Sequence, residues 1–534
     1  MSTSQLTIPK SISTLIGKLE EKKPTKPSEM VTLLKNSPVA VEDLLEFADF
    51  EHPNTDCYGR KMVYQGANYE IMVMSWQPGD FSAIHDHGHT LWGAVKIFGA
   101  AEHATFRWED EHLNTLARWQ VKPGDILGVG HSLIHQMGNK DQEPFLSLHI
   151  YGYNAPIDNV TGDARIFNLD KQNIQRVNGG AFFNLPDHAI ARLEEGPAGD
   201  FPTYLRHQLE LFRRKESAND ETANALFQTT FSRDQHALLL NFLAEISNIE
   251  TGKNTNSLQW RILNRELKEA ADFQNTHKNM SQKDDSFHQY AEIYDHVIGK
   301  TSLDSFMKNY IHFFAQNYDF DFSQNETLSI GCGTGLVEAY ILKEFNASRE
   351  SIYGMDLSES MVDEARKRIS ADVGNIMTLD PAVRKWDLAY SGLNVFQYLP
   401  HEHLEEAIKK THAIIKEGGY FLADFITPDH IRWYPNVMYS RDSKVISLRT
   451  PEIIEIEGAN FQESEIINIS FLKGRMDVHY AGKHRRFLPP IFRVRSYFEK
   501  YFDKVDLYDA KSLKIIDDAD DSCPSTRYIV VARK

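Results

Sequence analysis

Residues 75–99 read SWQPGDFSAIHDHGHTLWGAVKIFG, and this stretch decides the first half of the fold. His85 and His87 are separated by one residue. In extended chain, residues i and i+2 face the same side, so a strand here lets both imidazoles reach one metal ion. Further on, KPGDILGVGHSLIHQMGN (122–139) repeats the PGD turn and offers His135 after a Gly-rich bend. His89 and His131 are its rivals, because register within each loop is open. Two close histidines and a third from a later hairpin can take one face of a metal, leaving the opposite positions for substrate and oxygen. No acid follows in GHTLWG, so the centre is three neutral imidazoles. The ion then keeps its full double charge, which suits a substrate that brings its own anion, such as a thiolate.

Around this stretch, YEIMVMSW, GAVKIFG and FLSLHIYGY are β-rich and separated by turn signals, which predicts a β-barrel or jelly roll from Arg60 to about Tyr153. Residues 9–50 read as short helices and 155–200 as loop-rich. Residues 201–270 carry apolar residues at helical spacing, and the polar 274–286 reads as a linker. From 287 onward strands and helices alternate, which implies a parallel sheet covered by helices, interrupted at 428–490 by strand-like pieces. The expected organisation is 1–185, an all-β barrel with a helical extension; 186–286, a helical connector; and 287–534, an α/β Rossmann-like domain.

The second chemical site lies in that last part. SIGCGTGLVEAY (329–340) places Gly331, Gly333 and Gly335 between a strand and a helix, where backbone N–H groups can approach a ligand. The next strand ends at Asp356, an acid suited to ribose hydroxyls. SADVGNI (370–376), WDLAYSGLNVFQYL (386–399) and KEGGYFLADF (416–425) follow in order. A dehydrogenase would show GxGxxG; here Leu336 follows GCGTG.

Composition bounds the rest. The chain has 534 residues and a net charge of -17, which argues against a large nucleic-acid footprint and against docking on anionic membranes. Three cysteines make no disulfide framework, and no long apolar run or basic leader is visible, so a cytoplasmic protein is expected. Composition does not give the oligomeric state.

The first region resembles the cysteine dioxygenase family, the thiol dioxygenases of the cupin superfamily, through YGRKMVY, IHDH, GVGHSLIH and SLHIY over roughly residues 10–160. The resemblance implies Fe(II) on His85, His87 and His135. It implies Arg60 as the clamp on a substrate carboxylate, with Tyr58 beside it, and a Ser147–His149–Tyr151 relay aimed at the iron. Alternation along SLHIY puts those three on one strand face. Animal members carry a cysteine after HDH that cross-links to the tyrosine. Leu91, Trp92 and Gly93 stand here instead, and bulky Trp92 bears on which thiol fits.

The last region resembles the class I S-adenosylmethionine-dependent methyltransferases. That resemblance implies Gly331, Gly333 and Gly335 at the methionine and ribose end, Asp356 on the ribose, and Asp372 with Val373 and Gly374 at adenine. It implies Ser391 and Asn394 facing the acceptor. Residues 428–490, with Trp433, Tyr434, Tyr439, His479, Tyr480, Arg485 and Arg486, would cover the site. The tail DDADDSCPSTRYIVVARK is similar to that of the methyltransferase domain in ovothiol synthases.

Together the resemblances imply a bifunctional enzyme with S-adenosylmethionine and Fe(II) as cofactors. It would oxidise a small thiol with O2 to a sulfinate and methylate a small sulfur or nitrogen metabolite. Two alternatives stay open: C–S bond formation between a thiol and histidine followed by imidazole methylation, and a metal- or thiol-sensing module that regulates the methyltransferase.

Overall fold

The computed structural model of the protein describes residues 8–53, 56–183, 185–249, 257–277, 287, 290–434, 436–517 and 523–534. The side chain of Trp433 and most of the expected 274–286 linker lie outside the described residues. The chain forms two compact units, Met1–Thr251 with Asn256–Glu266, and Gly252–Thr255 with Leu267–Lys534.

In the first unit, helices Lys10–Lys22 and Pro27–Lys35 and the 3-10 turn Val41–Phe47 are amphipathic. Ile12, Leu15 and Leu19 recur every three or four residues and pack, with Met30, Leu34 and Phe47, on Ile71, Val73, Leu146, Leu148 and Ile150. Those residues belong to one face of a five-stranded antiparallel sheet in the order Gly59–Gln65, Tyr69–Trp76, Phe145–Gly152, Trp92–Ile97, Ile126–Val129. Every position of Tyr69–Trp76 and Phe145–Gly152 is buried, because the other face looks into the barrel. A second sheet runs Ala198–Gly199, His112–Val121, Ala101–Glu109, Ile134–Gly138. This is the expected cupin-like β region.

Residues 155–200 differ from their loop-rich reading. Ala164–Asn168, Asn173–Val177 and Ile190–Glu195 pair into a three-stranded antiparallel sheet. Each strand is only five or six residues long, too short for alternation to stand out from the turns between them. Helices Phe201–Ser217, Ala223–Thr230 and Gln235–Ile249, from the expected connector, belong to the first unit. Asp200 caps the first of them by accepting the Thr203 N–H.

The second unit has a seven-stranded sheet in the order Ser370–Val373, Ile352–Asp356, Thr327–Ile330, Trp386–Ser391, Ile415–Ile426, Arg527–Arg533, Lys504–Asp509. Arg527–Arg533 is antiparallel to both its neighbours, and the first five strands are mutually parallel. The strand order reverses direction beside Thr327–Ile330, which opens a crevice at the strand ends where ligands bind in such folds. The interruption at 428–490 is a four-stranded antiparallel sheet, Val437–Tyr439, Val445–Ile456, Ala459–Ser470, Asp477–Phe487. No described helix is long and apolar enough to cross a membrane.

Candidate metal centre and donor pocket

His85 and His87 do not lie on a strand, as the spacing predicted. They sit on an extended loop in which His85 makes isolated bridges to His135 and Ile166. The bridge to His135 is doubly bonded: each backbone N–H reaches the other's carbonyl, at 3.0 and 2.9 Å. The loop is also tied by Asp86, which accepts from the Arg165 N–H at 2.8 Å and from Arg165 Nε at 2.5 Å. Register is therefore fixed by tertiary pairing, and the extended backbone still sends both rings the same way.

The ligand-capable atoms of His85, His87 and His135 all lie within 4.8 Å of one another. His85 Nδ1 lies 2.8 Å from the Ala83 carbonyl and donates to it, so its Nε2 keeps the lone pair. Neither ring nitrogen of His87, nor Nε2 of His135, has a hydrogen-bond partner although all are buried. Burial holds all three pKa values below the ordinary imidazole range, so each ring is neutral at pH 7. Buried, unpaired, neutral nitrogens that converge on one point fit a divalent metal ion. His89 is exposed, and His131, also exposed, turns its Nδ1 to the Gly88 carbonyl at 3.0 Å; neither joins the group.

Two residues escaped the sequence reading. His103 is buried with its Nε2 2.7 Å from His135 Nδ1, and a His135 ring that offers Nε2 to a metal would donate its Nδ1 proton to it. It lies in the strand Ala101–Glu109, and one histidine in a strand carries no signal of its own. Trp76 is the other. Its Nε1–H donates to Ser147 Oγ at 2.8 Å. Ser147 Oγ is 2.7 Å from His149 Nε2, and His149 Nδ1 is 2.7 Å from the Tyr151 hydroxyl.

Proton counting gives this chain a direction. Trp76 can only donate, so Ser147 accepts from it; the arrangement that leaves no donor of the chain unused then has the Ser147 hydroxyl donate to His149 Nε2, its other partner. Burial pushes the His149 pKa down to about 3, so the ring has one N–H, on Nδ1, which donates to the Tyr151 oxygen. The Tyr151 proton is thus left free. The Tyr151 ring lies 5.2 Å from the His87 ring. Burial raises the Tyr151 pKa above the ordinary phenol range and the nearby Arg60 charge works against that rise, so it remains a neutral donor. Burial likewise pushes Tyr58 up to about 12, again opposed by Arg60. Arg60 Nη2 makes one long hydrogen bond, 3.4 Å, to Thr161 Oγ1. Tyr58 accepts from the Ala181 N–H at 2.9 Å and stacks on Trp76 at 4.7 Å.

Trp92 does not face this centre. It pairs with Gly152, one residue out of phase with Tyr151, and packs in the helix-covered cluster, while Gly93 stands opposite Tyr151. Trp92 therefore does not shape the space beside the three histidines.

In the second unit, Gly331, Gly333 and Gly335 have φ of +74°, +54° and +72°, a conformation that favours glycine. A Cβ at Gly331 would stand 2.5 Å from Val395. Gly333 donates its N–H to Asp356 Oδ2 at 2.8 Å, which ties the loop to the end of the next strand. Gly331, Gly333, Asp356 and Asn394 line a cavity of about 1000 Å³. Asn394 donates its N–H to Asp424 at 2.8 Å and leaves Nδ2 buried without a partner.

Gly335, Asp372, Val373 and Ser391 do not line this cavity; Gly374, Asn375 and Ile376 do, and a Cβ at Gly335 would meet Ile369 and Ala365 instead. Asp372 is exposed and bonded to Tyr353 and Arg366, Val373 is half exposed, and Ser391 Oγ donates to the Ile330 carbonyl at 3.0 Å. Of the lid residues, Tyr434 and Arg486 face the cavity, whereas Arg485 pairs with Glu463 and Tyr480 with Glu465.

Comparison with known proteins matches the two units separately. The family model "Cysteine dioxygenase type I" matches residues 7–162, and "Methyltransferase domain" matches residues 327–419. Cysteine dioxygenase type 1 of Homo sapiens is 27% identical over 100 residues, covering 18% of this chain and 50% of that protein. The Danio rerio protein of the same name is 27% identical over 130 residues, 23% of this chain and 63% of that protein. The chain thus spans about half the length of the human protein it matches. Among solved structures, an S-adenosylmethionine-dependent methyltransferase from Clostridium acetobutylicum is 18% identical, with a TM-score of 0.37, covering 46% of this chain and 98% of that one. The CcbJ methyltransferase from Streptomyces caelestis is 15% identical, with a TM-score of 0.32, covering 41% and 87%.

Proposed function

We propose that the chain is a fusion enzyme. Its first unit oxidises a small thiol with O2 to a sulfinate on Fe(II), and its second transfers a methyl group from S-adenosylmethionine to a small metabolite. The observation that carries the first activity is the convergence of three neutral, partly unpartnered imidazoles beside a relay that frees the Tyr151 proton. Bound there, Fe(II) would supply a site where a thiolate and dioxygen meet. His85, His87 and His135 would hold the ion from one side. Arg60 has donors to spare and would clamp a substrate carboxylate, with Tyr58 beside it. Tyr151 would donate its free proton to oxygen or sulfur as negative charge builds, backed by His149 and Ser147. In the second unit, the glycine backbone of 331–335 would admit the donor and Asp356 would accept its ribose hydroxyls. Asn394 Nδ2 would face the reacting groups. The donor supplies an electrophilic methyl group, so the protein's task there is alignment.

The test uses the full chain with Fe(II), O2 and L-cysteine, with and without histidine, read by oxygen uptake and mass spectrometry. A gain of two oxygens on sulfur is expected. A histidine–cysteine adduct would replace dioxygenation by C–S coupling. No oxygen uptake with any small thiol would leave a sensor. His87→Ala should abolish iron binding and oxygen uptake while leaving S-adenosylmethionine binding intact.

A further inference from the structure

Two arginines on the inserted sheet face the donor cavity, and neither has a carboxylate. Arg449 is 6% exposed and Arg486 is part-buried. Arg449 donates to the Tyr434 hydroxyl at 2.8 Å, the Tyr290 hydroxyl at 3.3 Å and Ser447 Oγ at 3.3 Å. Arg486 donates to the Tyr398 hydroxyl at 2.8 Å, Gln462 Oε1 at 3.4 Å and the Tyr434 hydroxyl at 3.5 Å. Every one of these acceptors is an uncharged group in its ordinary state. Among the described residues, no carboxylate lies within ion-pair distance of either guanidinium. Asp424, whose charge is felt at Arg486, is taken by Arg527 and the Asn394 N–H.

Other buried arginines of this protein are treated differently. Arg118 meets Glu102 and Glu266, and Arg206 meets Glu102 and Glu210. A buried guanidinium without an anion is costly, so an unpaired pair on a cavity wall calls for a charge from outside. Tyr434, bonded to both, answers part of that demand: the two guanidiniums pull its pKa down to about 7 in spite of burial, and a single phenolate still leaves the pair one negative charge short.

Position says which ligand would bring the charge. A Cβ at Gly333 would lie 3.9 Å from the Tyr294 ring. Tyr294 meets Tyr290 edge-on at 5.2 Å, and Tyr290 accepts from Arg449. A chain of contacts through Tyr294 and Tyr290 therefore links the glycine loop to Arg449, and Tyr434 joins Arg449 to Arg486. The cavity is at the upper end of the usual range for ligand sites, roughly 300–1000 Å³, which leaves space beyond a nucleoside-sized donor.

We propose that Arg449 and Arg486 form an oxyanion subsite for the methyl acceptor, which is accordingly a small molecule bearing a carboxylate or a sulfinate. This rests on the methyltransferase reading. A guanidinium fork matches the two oxygens of either group.

The test is calorimetry on the full chain, metal-free and saturated with S-adenosylhomocysteine. Four thiol-free probes are titrated: L-serine (carboxylate), hypotaurine (sulfinate), L-cysteine sulfinate (both) and ethanolamine (neither). The oxyanion probes should bind at least about tenfold more tightly than ethanolamine, as hydrogen bonds to charged groups imply. Arg449→Gln and Arg486→Gln should each erase most of that margin while leaving S-adenosylhomocysteine affinity unchanged. The order of serine and hypotaurine separates the two oxyanions. Equal or absent binding of all four probes to the loaded wild type overturns the subsite. So does parallel loss of S-adenosylhomocysteine affinity in both folded variants, which would give the arginines to the donor's own carboxylate. Failure of the wild type to bind S-adenosylhomocysteine at all would instead remove the methyltransferase reading.

Discussion

Ser147→Ala tests the relay more sharply than any change at the metal. The serine hydroxyl is fully buried and shared by two partners, Trp76 Nε1–H at 2.8 Å and His149 Nε2 at 2.7 Å. Alanine strands both. Leaving a buried polar group unmade costs about 1–3 kcal/mol each, so the loss is at least about 2 kcal/mol. For a unit of this size that lowers Tm by about 4–8 °C. The catalytic consequence is separate. Without the serine proton, His149 is free to carry its N–H on Nε2 and to accept from Tyr151 through Nδ1. The Tyr151 proton then turns away from the metal side. Oxygen uptake should fall by about 10²-fold or more, in the range expected for loss of a positioned acid, with iron content unchanged by metal analysis. A folded Ser147→Ala protein that holds iron and consumes oxygen at the wild-type rate would refute the assigned proton direction.

Asp356→Ala should weaken S-adenosylmethionine binding about tenfold or more in calorimetry, as loss of a charged hydrogen-bonding group implies. Asp372→Ala should leave that affinity as it was, because its carboxylate is spent on Tyr353 and Arg366 outside the cavity. Burial raises the Glu338 pKa from 4.5 to about 7, so the folded state binds this proton more tightly than the unfolded chain. Its contribution is therefore complete below pH 4.5 and disappears as pH rises through 7, a swing of about 3 kcal/mol. Glu338→Gln should raise the melting temperature of the second unit more at pH 8 than at pH 5; equal shifts would argue against a neutral buried acid. Trp92→Ala should destabilise the first unit by about 3–5 kcal/mol through lost core packing, seen in denaturant unfolding, without changing the rank order of thiols in oxygen uptake.

Much of this protein is legible in its sequence. The pair His85 and His87, the alternation in SLHIY, the three glycines and Asp356 are local signals, because the chemistry and the spacing sit in one short segment. Backbone periodicity alone puts Ser147, His149 and Tyr151 on one face, and the hydrogen bonds follow at 2.7 Å. The change from β texture to strand–helix alternation likewise divides the two kinds of architecture.

What remained was decided by contacts between distant residues. Asp372 and Asp356 both close a strand–loop passage, yet pairing turns one outward onto Arg366 and the other onto the glycine loop. Trp92 and Gly93 are neighbours, and the ladder register alone gives Gly93 to the Tyr151 side. His103, Trp76, Arg449 and Arg486 acquire meaning only beside partners 32, 71, 15 and 52 residues away. Spacing along the chain fixes which side chains share a face. Burial, hydrogen-bond supply and the absence of a counter-charge are properties of the space around them, and only the folded chain creates that space.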